Sequence, residues 1–508
     1  VLIDGEYVAT FGRVTMLRVE SIGGSGEAVG IAYVELISSL NPNSLEPNVG
    51  VSESPGLDCV VYKAHPAVVR LVTEANAICK GKRPTVTIDF AHLANIDETN
   101  LTTTPEMLFG RHMAILGSTG SGKSFSLSRI TEEVGKYASK FILLDPSGEY
   151  ANLSGNVLHV CIGNKNTTPE GAYPVSLPYY ELIESDLFSI FRPSGEGQAP
   201  RLRAAIKSLK LAKLEPEIAL DGFILKANRD KRSFEDAAAE FHRELEAPVA
   251  DFDITKLVVQ INNECVNPYR SSTEGGYWGD YNSLAQSMCT PLINRVEDII
   301  NAPNLAPIFN PDEIPSIFEV INRFIAEENY NVLCVSLQHL SFEHHTREIV
   351  ANALGRHLLH ASHQGMLQDK PVVIALDEAH QFLNEATNEK DNDYPLNSFD
   401  IIAKEGRKYG LHICLATQRP RDLPEGVLSQ VGTFVVHRLT NDADRSIIER
   451  ASGNSCGSAL EALPTLLQGE AVLFGADFAV PVKVKVKMPS SKPISYSADF
   501  QKDWALRD

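Results

Sequence analysis

Gly117-Ser118-Thr119-Gly120-Ser121-Gly122-Lys123-Ser124 is a complete G-x-x-x-x-G-K-[ST] phosphate loop, and it follows the short apolar run His112-Met113-Ala114-Ile115-Leu116. Glycines at 117, 120 and 122 let the backbone turn with no Cβ in the way, so successive N–H groups point inward at the β- and γ-phosphates of a nucleoside triphosphate. Lys123 adds a point charge and the Ser124 hydroxyl is a ligand for Mg²⁺. Phe125 follows as the chain enters a helix with apolar residues at Leu127, Ile130, Val134 and Tyr137, whose N-terminal dipole faces the phosphates. Strand, loop and helix in this order predict ATP and Mg²⁺ binding.

A phosphate loop needs a carboxylate partner. Pro371-Val372-Val373-Ile374-Ala375-Leu376-Asp377-Glu378 is an apolar strand ending in two of them. Asp377 is placed to hold Mg²⁺ through its water shell, and Glu378 to polarise the water that attacks the γ-phosphate. A further apolar strand, Leu411 to Ala416, turns abruptly polar at Thr417-Gln418-Arg419-Pro420. In an open α/β sheet such strand ends line the active-site crevice, which puts Gln418 where it senses the γ-phosphate or its water. Gly406-Arg407-Lys408-Tyr409-Gly410 precedes that strand, and Arg407 is either a surface residue or a finger reaching a neighbour's nucleotide.

These residues need a scaffold. From Arg111 onward, apolar strands alternate with helical periods, the α/β signature. Core strands are predicted at Met113 to Leu116, Phe141 to Leu144, Val332 to Leu337, Val372 to Leu376, Leu411 to Ala416 and Thr433 to Val436, with a closing hairpin at Ala471 to Phe474 and Val480 to Lys487. In that hairpin Lys483, Lys485 and Lys487 alternate with valines, as on a protected edge strand. Residues 1 to 95 are rich in Val, Ile and Thr between Gly, Pro and Asn clusters, and predict a small β-barrel or sandwich. Residues 171 to 330 read as a mostly helical insertion between two parts of the core, 96 to 170 and 331 to 487. Its basic runs, Arg201-Leu202-Arg203 and Arg229-Asp230-Lys231-Arg232, fit solvated helix faces before they fit nucleic-acid contacts.

A formal charge of -19 argues against a generally basic nucleic-acid surface, so any DNA contact must be local. The eight cysteines include no C-x-x-C pair and read as reduced core thiols. His344-His345 lacks a set of metal partners. No apolar run reaches the ~18 residues needed to cross a bilayer, and the start lacks a signal-peptide layout. A cytoplasmic protein without membrane contact is expected.

Taken with Arg111-His112, Leu144-Asp145-Pro146-Ser147-Gly148-Glu149-Tyr150, Leu376-Asp377-Glu378-Ala379-His380, Glu405 to Gly410, Ala416 to Pro420 and Leu428-Ser429-Gln430, the motif set resembles the HerA family of FtsK-like, DNA-translocating hexameric ATPases. The resemblance covers roughly residues 108 to 165 and 330 to 475. It implies a RecA-like core, Lys123 and Ser124 as Walker A residues, Asp377 and Glu378 as the Walker B pair, Arg407 as arginine finger, and Arg111 and Gln418 as further nucleotide-sensing residues. It also implies a homohexamer around duplex DNA, and residues 488 to 508 as a C-terminal brace on the adjacent subunit. A partner effector is implied too: a NurA-like nuclease, or a nuclease or sirtuin-type protein of anti-phage defence. The acidic stretch Asn388 to Asp393 departs from the family pattern. Two other readings stand beside the translocase: a nucleotide-gated scaffold that regulates its effector, and a DEAH-box helicase. The tetrapeptide Asp377-Glu378-Ala379-His380 supports the last, but it lies far downstream of the loop, with too little chain after it for a second RecA-like lobe.

Overall fold

The computed structural model describes residues 1–494 and Trp504, apart from 6–7, 22–27, 42–46, 57, 75–84, 95–99, 164, 167, 250, 271–275, 312, 342, 384–395, 454–456 and 479. The acidic stretch 388–393 and most of the expected brace therefore lie outside the described residues.

Two sheets organise the chain. The first holds β1 (Leu2–Ile3), β2 (Ala9–Ser21), β3 (Ala28–Leu40), β4 (Pro47–Val49) and β5 (Val61–Tyr62) in the order β4-β3-β2-β1-β5. All its pairings are antiparallel. Both β4 and β5 are edges, so closure into a barrel is not seen among the described residues. The strands are of unequal length: β2 and β3 run 13 residues each, whereas β1 and β5 have two and β4 three.

The second sheet is 11-stranded and carries the site. Its members are β6 (Ala91–Leu93), β7 (Met113–Leu116), β8 (Lys140–Asp145), β9 (Val157–Ile162), β10 (Tyr173–Val175), β11 (Val332–Ser336), β12 (Val372–Leu376), β13 (Leu411–Thr417), β14 (Thr433–Val436), β15 (Glu470–Gly475) and β16 (Val482–Val486), in the order β10-β9-β11-β8-β12-β13-β7-β14-β15-β16-β6. From β10 through β14 the pairings are parallel, and the remaining three strands are antiparallel. Every residue of β7 and β8 is buried, as strands covered on both faces must be.

Two expectations change here. Residues 91–93, assigned by sequence to the N-terminal barrel, instead close the core sheet against β16, with Lys487 N–H donating to the Phe90 carbonyl at 2.9 Å. Consequently β16 is not an edge; Lys483 on it meets Glu470 at 2.9 Å, and Lys487 just after it meets Asp89 at 2.6 Å. The segment between β10 and β11 is largely helical, with long helices at Gly195–Leu214 and Ser283–Ile300. Arg203 in the first of these packs over Phe188 at 5.1 Å and bonds Glu184 at 2.6 Å, the surface role its sequence fits best.

Candidate functional site

The phosphate loop links β7 to the helix Lys123–Val134. Gly120 and Gly122 take φ of 72° and 119°, the left-handed region that disfavours a Cβ. A Cβ on Gly117 would stand 2.6 Å from that of His437. Neighbouring strand ends hold the loop: Gly117 N–H donates to the Thr417 carbonyl at 3.3 Å, and Ser118 donates to the Arg438 carbonyl through both its N–H (3.0 Å) and Oγ (2.8 Å). No side chain caps the helix at Gly122, which leaves its first N–H groups to an anion.

Lys123 Nζ lies 2.8 Å from Asp377 Oδ1 and 2.8 Å from Glu378 Oε1, with the lysine and Asp377 side chains buried. Burial alone would lower the ammonium's pKa, but the two carboxylates overcome it and hold it raised. Glu378 has φ of 47°, strain of the kind that collects at functional sites. Its Oε2 faces His380 Nδ1 at 3.3 Å, and that ring nitrogen also lies 3.1 Å from Thr417 Oγ1. Gln418 Oε1 accepts from Thr119 Oγ1 at 2.5 Å. The C-terminal ends of β7, β12 and β13 thus gather Thr119, Lys123, Asp377, Glu378 and Gln418, with Ser124 following Lys123 and Phe125 half-buried beside it. Asp377 Oδ2 and Ser121 Oγ are buried with no hydrogen-bond partner among the described residues. With the uncapped helix, these groups fit a Mg²⁺-bound triphosphate.

Arg111 and Arg407 lie elsewhere. Both precede their strands, Arg111 before β7 and Arg407 before β13, and both line a cleft of about 850 Å³ with Lys404, Lys408, Gln430 and Ser452. Strand β13, about 20 Å long, runs between that cleft and the phosphate loop. His112, φ 62°, joins the two strands: its Nδ1 accepts from Ile413 N–H at 3.0 Å, so Nε2 donates to the Ala403 carbonyl at 3.0 Å. Burial pushes its pKa down to about 4, keeping the ring neutral. Arg111 is therefore not brought to the loop it precedes. It stands with Arg407, 3.9 Å from Asp477, and neither reaches the nucleotide position of its own chain.

Residues 88–331 match the family described as "Helicase HerA, central domain", and residues 363–489 match "Helicase HerA-like C-terminal". The chain belongs to the HerA family. It is similar to "DNA double-strand break repair helicase HerA" of Pyrococcus furiosus, with 23% identity over 92% of this chain and 79% of that one. A "Probable DNA double-strand break repair helicase HerA" of Methanocaldococcus jannaschii is 26% identical over 78% of this chain and 76% of its own. Among solved structures, VirB4 of Thermoanaerobacter pseudethanolicus aligns with a TM-score of 0.49 at 13% identity, covering 81% of this chain and 99% of that one. As a HerA protein the chain is an ATPase of the helicase class.

The HerA core also uses residues that carry no sequence signal of their own role. Glu149 faces the Ser124 side chain, and burial first, then Asp377, raises its pKa. Asp145, at the end of β8, ties down the loop carrying Glu149 by accepting from Gly148 N–H at 2.8 Å and Tyr150 N–H at 2.9 Å. Burial raises the Asp145 carboxyl to about 6. Residues 488–494, the start of the segment expected to brace an adjacent subunit, bond within their own chain to the phosphate-loop helix and to Glu149. Ser491 N–H donates to Glu132 at 2.6 Å, Ser128 Oγ to the Ser491 carbonyl at 2.8 Å, and Ile494 N–H to the Glu149 carbonyl at 2.8 Å.

His437 sits under the loop. Its Nδ1 donates to the Glu470 carbonyl at 2.8 Å, which leaves Nε2 to accept from Ser126 Oγ at 2.7 Å. Burial lowers its pKa to about 4, so the neutral ring that this bonding requires persists at pH 7. His437→Ala should open a cavity beneath Gly117 and orphan both partners, at a cost of about 3 kcal/mol. Urea unfolding should show the lower midpoint, and ATP titration a weaker affinity.

Proposed function

We propose that this chain is one subunit of a homohexameric ring that hydrolyses Mg²⁺-ATP to move along or unwind duplex DNA, working with a partner effector. The observation that carries the reading is the division of the site. Lys123, Asp377, Glu378 and Gln418 lie beyond the C-terminal ends of the central strands, and Arg111 and Arg407 before their N-terminal ends. A head-to-tail ring presents the arginine end of one copy to the phosphate loop of the next and so completes the set.

Within such an interface Ser124 and Asp377 would hold Mg²⁺, with Glu149 orienting Ser124. When bound there, the cation would supply neutralisation of the phosphate charge. Lys123 exchanges its carboxylate partners for phosphate oxygens, which frees Glu378 to orient the attacking water and take up its proton. Gln418, anchored on Thr119, lies beside the γ-phosphate position. Arg407 from the adjacent copy balances charge in the transition state, with Arg111 beside it.

A net charge of -19 confines DNA to a few cations facing the channel, so the contacts are to phosphates and not to base edges. Binding should fall steeply with salt and ignore sequence. Fluorescence anisotropy across a salt series checks this, together with ATP turnover with and without duplex DNA. If neither affinity nor turnover responds to DNA, the nucleotide-gated scaffold replaces the motor. The family resemblance points to a nuclease or a sirtuin-type defence protein as effector, and co-purification identifies which.

A further inference from the structure

The N-terminal sheet carries two uncovered apolar surfaces that the nucleotide site does not use. Strand β1 pairs only with Thr10 and Phe11 of β2, and β4 only with Ser39 and Leu40 of β3. Beyond Gly12 and Leu36 no third strand joins β2 and β3 among the described residues, and the pair runs on as a two-stranded arm of about 30 Å whose base, at Arg13 to Thr15, lines a cavity with Ala462 and Lys483. Within it Leu17 pairs with Ala32 and Val19 with Gly30, which puts these four on one face. Leu17 and Val19 are each 77% exposed. No charge interrupts that face, whereas the reverse face carries Arg18, stacked over Tyr33 at 5.8 Å, and Glu20. A free two-stranded ribbon is marginal in water, and large exposed apolar residues on it call for cover.

The second surface lies at the far side of the same sheet. Among the described residues strand β5 bonds β1 on one side only, and Val60, Val61 and Tyr62 are all more than half exposed. It is thus an open apolar strand edge, a template for added β-structure.

We propose that the Leu17/Val19 face of one subunit's arm packs on the β5 edge of the next copy, joining the N-terminal sheets head to tail. This inference rests on the ring reading above. Two different patches of one chain that fit each other make a heterologous contact, the type that closes rings. Charge points to the same occupant: two copies of a -19 chain repel wherever their surfaces are charged, and these patches are not. Within one chain β1 stands between β5 and β2, so β5 does not pair with its own arm.

Cross-linking tests the contact. Leu17→Cys and Val61→Cys are made separately, each with Cys59→Ser to remove the nearby half-buried thiol, and mixed with a short bismaleimide. A covalent dimer in the mixture and in neither variant alone supports the proposal. A dimer from Leu17→Cys alone means that arms pair with arms, and overturns it. Light scattering on the same samples reports assembly. Intact rings without the cross-link overturn this contact and spare the ring, whereas monomers throughout overturn both. Leu17→Asp with Val19→Asp gives an independent measure. It should raise the concentration for half-assembly at least about tenfold while ATP binding to the single chain stays unchanged. Unchanged assembly overturns the proposal.

Discussion

Glu378→Gln is expected to bind ATP with near wild-type affinity and to hydrolyse it at least about a hundredfold more slowly. The amide keeps the shape of the side chain but cannot take the proton of the attacking water. Binding survives because Lys123, the phosphate-loop N–H groups and Ser124 are unchanged. The substitution also replaces one of the two carboxylates that hold Lys123, at 2.8 Å, with a neutral group, which weakens a contact that competes with phosphate. ATP affinity should therefore be equal or slightly higher, never lower. Equilibrium binding of a fluorescent ATP analogue and single-turnover hydrolysis separate the two effects. Normal hydrolysis by the variant would move the water-activating role away from Glu378, with His380 and Glu149 as the next groups to test.

The sequence made the centre of the core sheet legible because those strands are covered on both faces. Met113–Leu116, Val372–Leu376 and Thr433–Val436 are observed with the expected ends, and neighbouring strands differ by a residue or so. Where burial is less complete the signal faded. Strand β9 carries His159 in its middle, satisfied by the Leu153 carbonyl at 2.8 Å, and was not expected as a strand. The short strands β6 and β10, three residues each, hold too few positions for any periodicity to register.

The site divides in the same way. Lys123, Asp377 and Glu378 stand next to motifs that announce them, and the structure brings them together. Glu149 stands in the Leu144 to Tyr150 motif but reaches the loop only by the turn that Asp145 organises, and His437 reaches it from the end of β14, so no spacing rule gives either its role. Arg111 shows the reverse. It lies close to the phosphate loop in sequence, yet the length of β7 puts it at the opposite end of the strand, beside Arg407.

That end supports the prediction with the largest expected effect. Rings built only from Arg407→Ala subunits should bind ATP normally and lose turnover by about a thousandfold or more, the range in which an arginine finger contributes. Arg407 makes no contact with its own phosphate loop and lies a full strand away, so the loss cannot arise within the subunit that carries the substitution. Mixing therefore distinguishes a finger from a fold defect. When Arg407→Ala and Glu378→Gln subunits co-assemble, some interfaces pair an intact Glu378 on the first type with an intact Arg407 on the second. At an equal ratio about one interface in four is complete, so turnover should rise well above that of either parent ring. Arg111→Ala provides the matching control, because it shares the Arg407 cleft and so belongs to the same complementation group: mixed with Glu378→Gln it should also recover, and mixed with Arg407→Ala it should not. Co-assembly verified by light scattering with no recovery in the Arg407→Ala and Glu378→Gln mixture would show that the arginine end does not serve a neighbour's nucleotide, and the head-to-tail arrangement would fall with it.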